Sequence, residues 1–388
     1  MKRSTSRILT THTGSLPRPE DLVPMLQAKD EGEPVDETAF QARVKSATAE
    51  IVRQQVDAGI DVVNDGEAGK IGYATYVHDR LTGFGGEARP LGRTSLENTD
   101  FPEWAAQRFG TLTRAGNRPF MQRPSCNGPI SLKDPNAVKT DIANLKSAVQ
   151  GVKVEDVFMS AASPGVVSVF LPNDYYKTHE EYVQAVATAL REEYKAIVDA
   201  GFVLQLDCPD LAMGRNMGDF STKSEAEFLA FANHNVEALN EATKGLPRDQ
   251  IRVHLCWGNY EGPHNHDIAL QAIWDTVTKA NAAGVSYEAS NPRHDHEWAF
   301  FEGRKLPADT VLIPGVIDST TNFVEHPELV AQRITRVAKL VGPEHVMAGS
   351  DCGFGTFAGM SVVDARITWA KMKTMAEGAA IASKQLYR

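Results

Sequence analysis

A single (β/α)8 barrel over residues 1–388 is the fold this sequence predicts, and three observations carry that reading. From about residue 180 onward, stretches with helical apolar spacing alternate with short β-rich runs, the rhythm of a parallel sheet. Four of those runs end in polar residues that a purely structural strand does not need, as expected where strand ends share one mouth. Gly and Pro are interspersed, with no linker and no internal repeat, and one barrel accommodates roughly 200–400 residues.

Near the N-terminus ILTTHTG reads as a strand, a helix fits 39–58 with Gly59 as its stop, and IDVVNDGE is a second strand. Residues 69–122 are polar, aromatic and Gly-rich without a sustained period; they read as a partly β insertion or lid leaving the sheet. CNGPISL and DVFMSAASPG are strand-like. A helix over 182–200, stopped by Gly201, precedes FVLQLDCPDL, and a helix at 224–243 precedes IRVHLCWG. A helix at 268–283 leads to VSYEAS and then TVLIPGVID; a helix at 327–341 leads to HVMAGSDCG, and a helix over 361–383 ends the pattern. This is one strand more than the eight of a closed barrel, so CNGPISL is assigned to the insertion. An open doubly wound sheet competes, but no Gly-rich dinucleotide fingerprint follows the first strand.

Composition removes several function classes. With 42% hydrophobic and 23% charged residues the chain is neither disordered nor fibrous. Forty Lys+Arg against 50 Asp+Glu, a net charge of −10, argue against nucleic acid and against an anionic membrane surface as partners. No apolar stretch approaches the ~20 residues of a membrane span, and the N-terminal stretch has no apolar h-region, so a cytoplasmic protein is expected. There, Cys126, Cys208, Cys256 and Cys352 are free thiols or metal ligands more often than disulfides.

The chemistry concentrates at strand ends. In VHLCW, His254 and Cys256 are two apart and share a face of the strand. Alone, such a pair is more often a satisfied core histidine and a small buried thiol. Cys352, in GSDCGFG at the end of the last strand, and Glu288, in SYEAS on an intervening strand, change that weighing. Together the four residues make an N/S/S/O set suited to Zn2+, and the lack of a CxxC knuckle argues against a structural zinc finger. Arg18, in LPRP, could hold a carboxylate or sulfonate on a substrate. His294 and His296 follow Glu288 closely enough to touch a substrate. Cys208 is a spare thiol, His264 and His266 read as loop histidines, Asp65 and Asp210 as loop or cap residues, and Cys126 is unassigned.

Six segments in order resemble the cobalamin-independent methionine synthases and their single-barrel relatives: TTHTGSLPRP, NDGEAG, QLDCPDL, VHLCWG, SYEAS and SDCGFG. The resemblance implies zinc held by His254, Cys256, Glu288 and Cys352, and a thiol-substrate pocket that includes Ser15, Glu67 and Asp207. CWGNYEGPH, ASNPRHDHEW and VEHPELVAQRI further resemble the epoxyalkane:coenzyme M transferases, which open an epoxide with a zinc-bound thiolate. Two features depart from the methionine-synthase pattern. GVIDSTTNF carries Ser319 and Thr320 where that family has a histidine, and GPISLKD lacks its tryptophan. The expectation is therefore zinc-dependent alkyl transfer to a small thiol, with epoxide opening by a thiol such as coenzyme M favoured. Methyl transfer from methyltetrahydrofolate to homocysteine is the alternative, and a metal-free decarboxylase of the uroporphyrinogen type the second. In this scheme Glu288 is the exchangeable ligand, Asp207 and Glu67 act on the thiol substrate, and the oligomeric state is left open.

Overall fold

The computed structural model describes residues 1–86, 95–110, 123–217 and 222–387. Seven parallel strands form one curled sheet in chain order: β1 (Val62–Val63), β2 (Asp156–Ala162), β3 (Val203–Asp207), β4 (Ile251–Leu255), β5 (Gly284–Tyr287), β6 (Val311–Ile317) and β7 (Gly349–Ser350). The eighth place in the ring belongs to the N-terminal segment around Thr10. Thr10 bridges Ala348 in parallel, and Ala348 exchanges 2.8 Å backbone hydrogen bonds with Leu9 and Thr11. On its other side the Thr10 carbonyl accepts from the Asp61 and Val62 amides at 3.2 and 3.0 Å. The architecture is the TIM-barrel type the alternation predicts. ILTTHTG, however, is a one-residue bridge rather than a strand, because the Thr10 N–H donates to the Asp61 carboxylate (2.9 Å) instead of to a neighbouring strand.

The helices follow their local signals. Ser224 and Glu227 close a capping box on Glu225–Ala242. Thr178 caps His179–Asp199, Asp364 caps Ala365–Leu386, and Pro327 opens Pro327–Val341, which Gly342 (φ 96°) ends. The helix expected at 268–283 is only Leu270–Val277, since the Asn281 N–H donates to the Asn240 side chain (2.7 Å) and leaves the helical ladder. The sequence reading also missed Ala137–Val149, which packs against Glu37–Asp57.

Part of the expected insertion, 87–94 and 111–122, lies outside the described residues. The rest carries three short helices, Val77–Arg80, Leu96–Asp100 and Pro102–Gly110, and single antiparallel bridges at Gly72, Leu81 and Phe84, so it is partly β as expected but holds helices that the reading did not foresee. Ser95 caps the second of these and Pro102 opens the third. Cys126 bridges Phe84 and Asn173 and takes no place in the seven-stranded sheet.

Alternation along the strands sets the layers inside the ring. A buried apolar floor joins Leu9, Val62, Phe158, Val203, Val311, Ile313 and Met347. Above it Arg252 lies with its guanidinium 3.8 Å from the Phe158 ring centroid and donates to Gln205, Thr11 and the His12 carbonyl at 2.8–3.1 Å. Two residues further along β3 and β4, Asp207 and His254 reach the mouth. Gly315, where β6 shifts register on β7, sits against Asp351: a Cβ there would meet the Asp351 backbone at 2.6 and 2.7 Å. Gly315→Ala is expected to cost at least about 1–3 kcal/mol, the range for overpacking, and to displace the neighbouring Cys352. Urea denaturation together with metal content checks both effects.

Candidate metal centre

β4 and the segment after it deliver His254 and Cys256 to one face, and the turn after β7 delivers Cys352. One ligand atom from each lies within 4.8 Å of the others, and the two Sγ atoms are 3.6 Å apart. All three residues are buried and both thiols are free. His254 Nδ1 is 3.1 Å from Ser286 Oγ, its register partner on β5, while Nε2 is buried with no hydrogen-bond partner. With Nδ1–H donating to Ser286, the Nε2 lone pair is free to meet a metal. Burial, helped by Arg252 beneath, pulls the imidazole down to about 3, so it is neutral, as a ligand must be. The neighbouring Cys352 sulfur, then burial, push the Cys256 thiol well above its ordinary value. A soft dication would relieve two sulfurs crowded this closely, and the donor chemistry fits Zn2+.

Glu288 is not in that cluster. Its Oε1 accepts from the Trp257 amide (2.8 Å), and its Oε2 from Asn291 Nδ2 (2.9 Å) and Arg293 Nη2 (2.5 Å). The expected fourth ligand is thus held aside by three donors. His294 also departs from expectation. Its nitrogens are 2.8 Å from Glu297 and 3.2 Å from Asp267, and its ring lies 4.2 Å from that of Trp257, so neither nitrogen is free for substrate. Burial opposes its charge, but the two carboxylates win and raise it to about 9.

Ser15, Arg18, Glu67 and Asp207 are buried polar residues of the same mouth. The Ser15 carbonyl accepts from the Phe354 and Gly355 amides at 2.8 and 3.2 Å, tying the first turn to the Cys352 loop. Glu67 holds a left-handed φ of 56°, uncommon for a residue with a side chain. Asn64 and Asp65 fix that turn by accepting from the Gly66 and Glu67 amides (2.8 and 3.0 Å). Glu67 Oε2 and Arg18 Nε and Nη2 are buried without partners. Burial and then Glu67 push the Asp207 carboxyl well up; burial raises Glu67 too, against the pull of Lys70 and Arg18. Two buried carboxyls whose charge is disfavoured in this way favour an incoming cation.

The sequence reading missed Asp351. Its carboxylate accepts from the Ala289, Ser290 and Asn291 amides and from Asn291 Nδ2, all at 2.8–2.9 Å, stitching the Cys352 turn to the Glu288 turn. Its only sequence signal is its place beside Cys352 in GSDCG. Arg252 was missed as well, although its place two residues before His254 puts it on the same face of the strand.

A model of the catalytic domain of the cobalamin-independent synthases matches residues 167–379. The chain belongs to this family. The match takes in both cysteines, His254, Glu288 and Asp207 but stops short of Ser15, Arg18 and Glu67. Among family members, the methionine synthase of Sulfolobus acidocaldarius is 24% identical over 379 residues, covering 97% of this chain and 93% of the relative. That of Thermococcus kodakarensis is 24% identical over 380 residues, covering 98% and 94%. The fold matches a B12-independent methionine synthase from Shewanella sp. W3-18-1, solved in complex with selenomethionine, with a TM-score of 0.73 at 21% identity over 98% of this chain and 99% of that one. This family member is therefore an enzyme of the methionine-synthase type, and no described helix is long and apolar enough to cross a membrane.

Proposed function

We propose that this chain is a single-barrel, zinc-dependent methyltransferase whose acceptor is the thiol of homocysteine. The observation that carries the reading is the convergence of buried His254 Nε2, Cys256 Sγ and Cys352 Sγ beside the Glu67–Asp207 pair. Relatives along the whole chain bear the name methionine synthase, which supports methyl transfer over the epoxide opening that the motifs favoured. A zinc ion held by these three residues would keep the incoming thiol as its thiolate at neutral pH. The chain's own groups do the rest. Glu67 and Asp207 bind the substrate ammonium. Arg18, with two unpartnered nitrogens, takes the carboxylate. Glu288, held by three neutral or cationic donors, would be the carboxylate available as a further, exchangeable ligand. The compartment would be the cytoplasm, where thiols stay reduced.

Epoxide opening is kept as the second reading on one observation. Where the resemblance calls for a histidine, Ser319 donates instead to the Asn259 side chain (2.8 Å), so no imidazole stands ready to protonate a departing folate nitrogen. Tyr73 offers another acid: burial, then Cys256 and Cys352, push its hydroxyl well above the ordinary value and keep it protonated.

The deciding experiment offers homocysteine or coenzyme M with methyltetrahydrofolate, a simpler methyl donor or epoxypropane, and reads the thioether by mass spectrometry. Methionine supports the proposal; a hydroxyalkyl thioether alone replaces it with the second reading. Asp207→Asn and Glu67→Gln are each expected to retain the metal but weaken homocysteine binding by roughly 10–100-fold, the worth of a hydrogen bond to a charged group. Calorimetry showing wild-type affinity in both would remove the pocket assignment.

A further inference from the structure

A second cluster of ligand-type atoms lies apart from the three donors described above. Glu97 comes from the Leu96–Asp100 helix, and His264 and Asp267 from the loop that follows Cys256. One ligand atom from each falls within 4.8 Å of the others. All three are shielded: Glu97 is 1% exposed, His264 4%, and the Asp267 side chain 8%.

The hydrogen bonds around the cluster are incomplete in a telling way. His264 Nε2 is 3.1 Å from the Tyr260 carbonyl, which can only accept, so Nε2 carries the proton. In the neutral ring Nδ1 is then an acceptor, yet it faces Asp267 Oδ1 at 3.2 Å, a second acceptor. Glu97 Oε2 accepts from the Tyr260 hydroxyl (2.7 Å), but Oε1 is buried with no partner. A proton on Nδ1 would satisfy Asp267 and still leave Glu97 Oε1 orphaned. His264 holds a left-handed φ of 52°, which turns its ring onto Tyr260 with centroids 4.2 Å apart. Behind the ligands, Asn216 donates to Asp267 Oδ1 (2.8 Å), and Arg293 and His294 contact Oδ2 (3.2 Å each), an outer shell of the kind that orients metal ligands.

We propose that Glu97, His264 and Asp267 form a second divalent-cation site that pins the 95–110 segment to the loop following Cys256. One imidazole and two carboxylates favour a first-row dication such as Zn2+ or Mn2+ over Ca2+, which takes oxygen ligands alone. The seam continues beyond the ion: Asp100 accepts from Asn265 (2.8 Å) and lies 2.6 Å from His266. The ion would therefore hold the helical cover in place over the mouth without touching the reacting atoms.

The test is metal counting with Co2+ as the probe, and it does not depend on which reaction is catalysed. A thiolate-bound Co2+ gives intense sulfur-to-metal charge-transfer absorption, whereas an N/O-bound ion gives only weak ligand-field bands. Wild-type chain is expected to bind about two Co2+, and Glu97→Gln about one, with the charge-transfer band unchanged. Gln keeps an acceptor for Tyr260, so the variant does not break that hydrogen bond. The Cys256→Ser/Cys352→Ser double variant is expected to bind about one Co2+ without charge-transfer absorption. Equal stoichiometry in wild type and Glu97→Gln, or no Co2+ bound by the double-cysteine variant, overturns the proposal and leaves a cluster held together by hydrogen bonds to an imidazolium.

Discussion

Cys352→Ser is expected to abolish thioether formation, by about 10³-fold or more, while leaving the secondary structure intact. The reasoning is local. Cys352 supplies one of two sulfurs 3.6 Å apart, and a serine hydroxyl is too hard and too weakly acidic to replace a thiolate ligand. Without the metal an ordinary thiol with a pKa near 8.5 is mostly protonated at neutral pH, and Lewis-acid activation worth several kcal/mol is lost, at about 1.36 kcal/mol per tenfold. The turn itself survives, because Asp351 holds it through four hydrogen bonds and Ser350 Oγ donates to the Cys352 carbonyl (2.8 Å). Elemental analysis, circular dichroism and product mass spectrometry read the three parts separately. A variant that keeps both its metal and its turnover would remove Cys352 from the centre.

Arg252→Leu should be the most damaging single change to stability inside the ring, at about 3–5 kcal/mol, the range for breaking a buried charged network. The guanidinium is fully buried, and burial pulls it down to about 9 although Asp207 favours its charge. Leucine fills part of the space over Phe158 but leaves the acceptors on Gln205, Thr11 and His12 unpaired. It also removes one of the two positive charges, with Lys70, that favour ionisation of Asp207. Denaturant titration gives the stability; a small shift in midpoint would mean that relaxation or water replaces the network.

The regular part of the barrel was legible because its helices announce themselves by period and cap. Gly59 and Gly201 each follow a helix that the structure keeps, Glu37–Asp57 and His179–Asp199. The three converging donors were legible for a similar reason: period two puts His254 and Cys256 on one face, and a short turn puts Cys352 at a strand end. The fate of Glu288 was not. Whether a carboxylate at a strand end meets a metal or three nearby donors depends on Asn291 and Arg293, which reach it through a turn that periodicity does not describe. Likewise the clamp on His294 is made by Asp267 and Glu297, one of them 27 positions away. The insertion misled because its helices are short, and the caps at Ser95 and Pro102 carry a signal that an aromatic, Gly-rich composition obscures.

The one-residue closure at Thr10 has a consequence for the order of events during synthesis. Thr13 meets Ser350, and Ser15 meets Phe354, across nearly the whole length of the chain. Everything between can begin to pair as it emerges, strand beside consecutive strand, but the first segment has to wait for the last. Until residues 348–355 leave the ribosome, the growing sheet has two open edges, and neither the paired sulfurs nor the Ser15–Phe354 tie exists. Loop closure over so long a span is slow, and open edges are sticky, so the nascent half-ring is the stage at which this chain is most exposed to aggregation and to chaperone capture. The same ordering would delay a metal: a ribosome-stalled fragment ending before Cys352 lacks one of the two sulfurs, so His254, Cys256 and Cys352 come together only when the ring has closed.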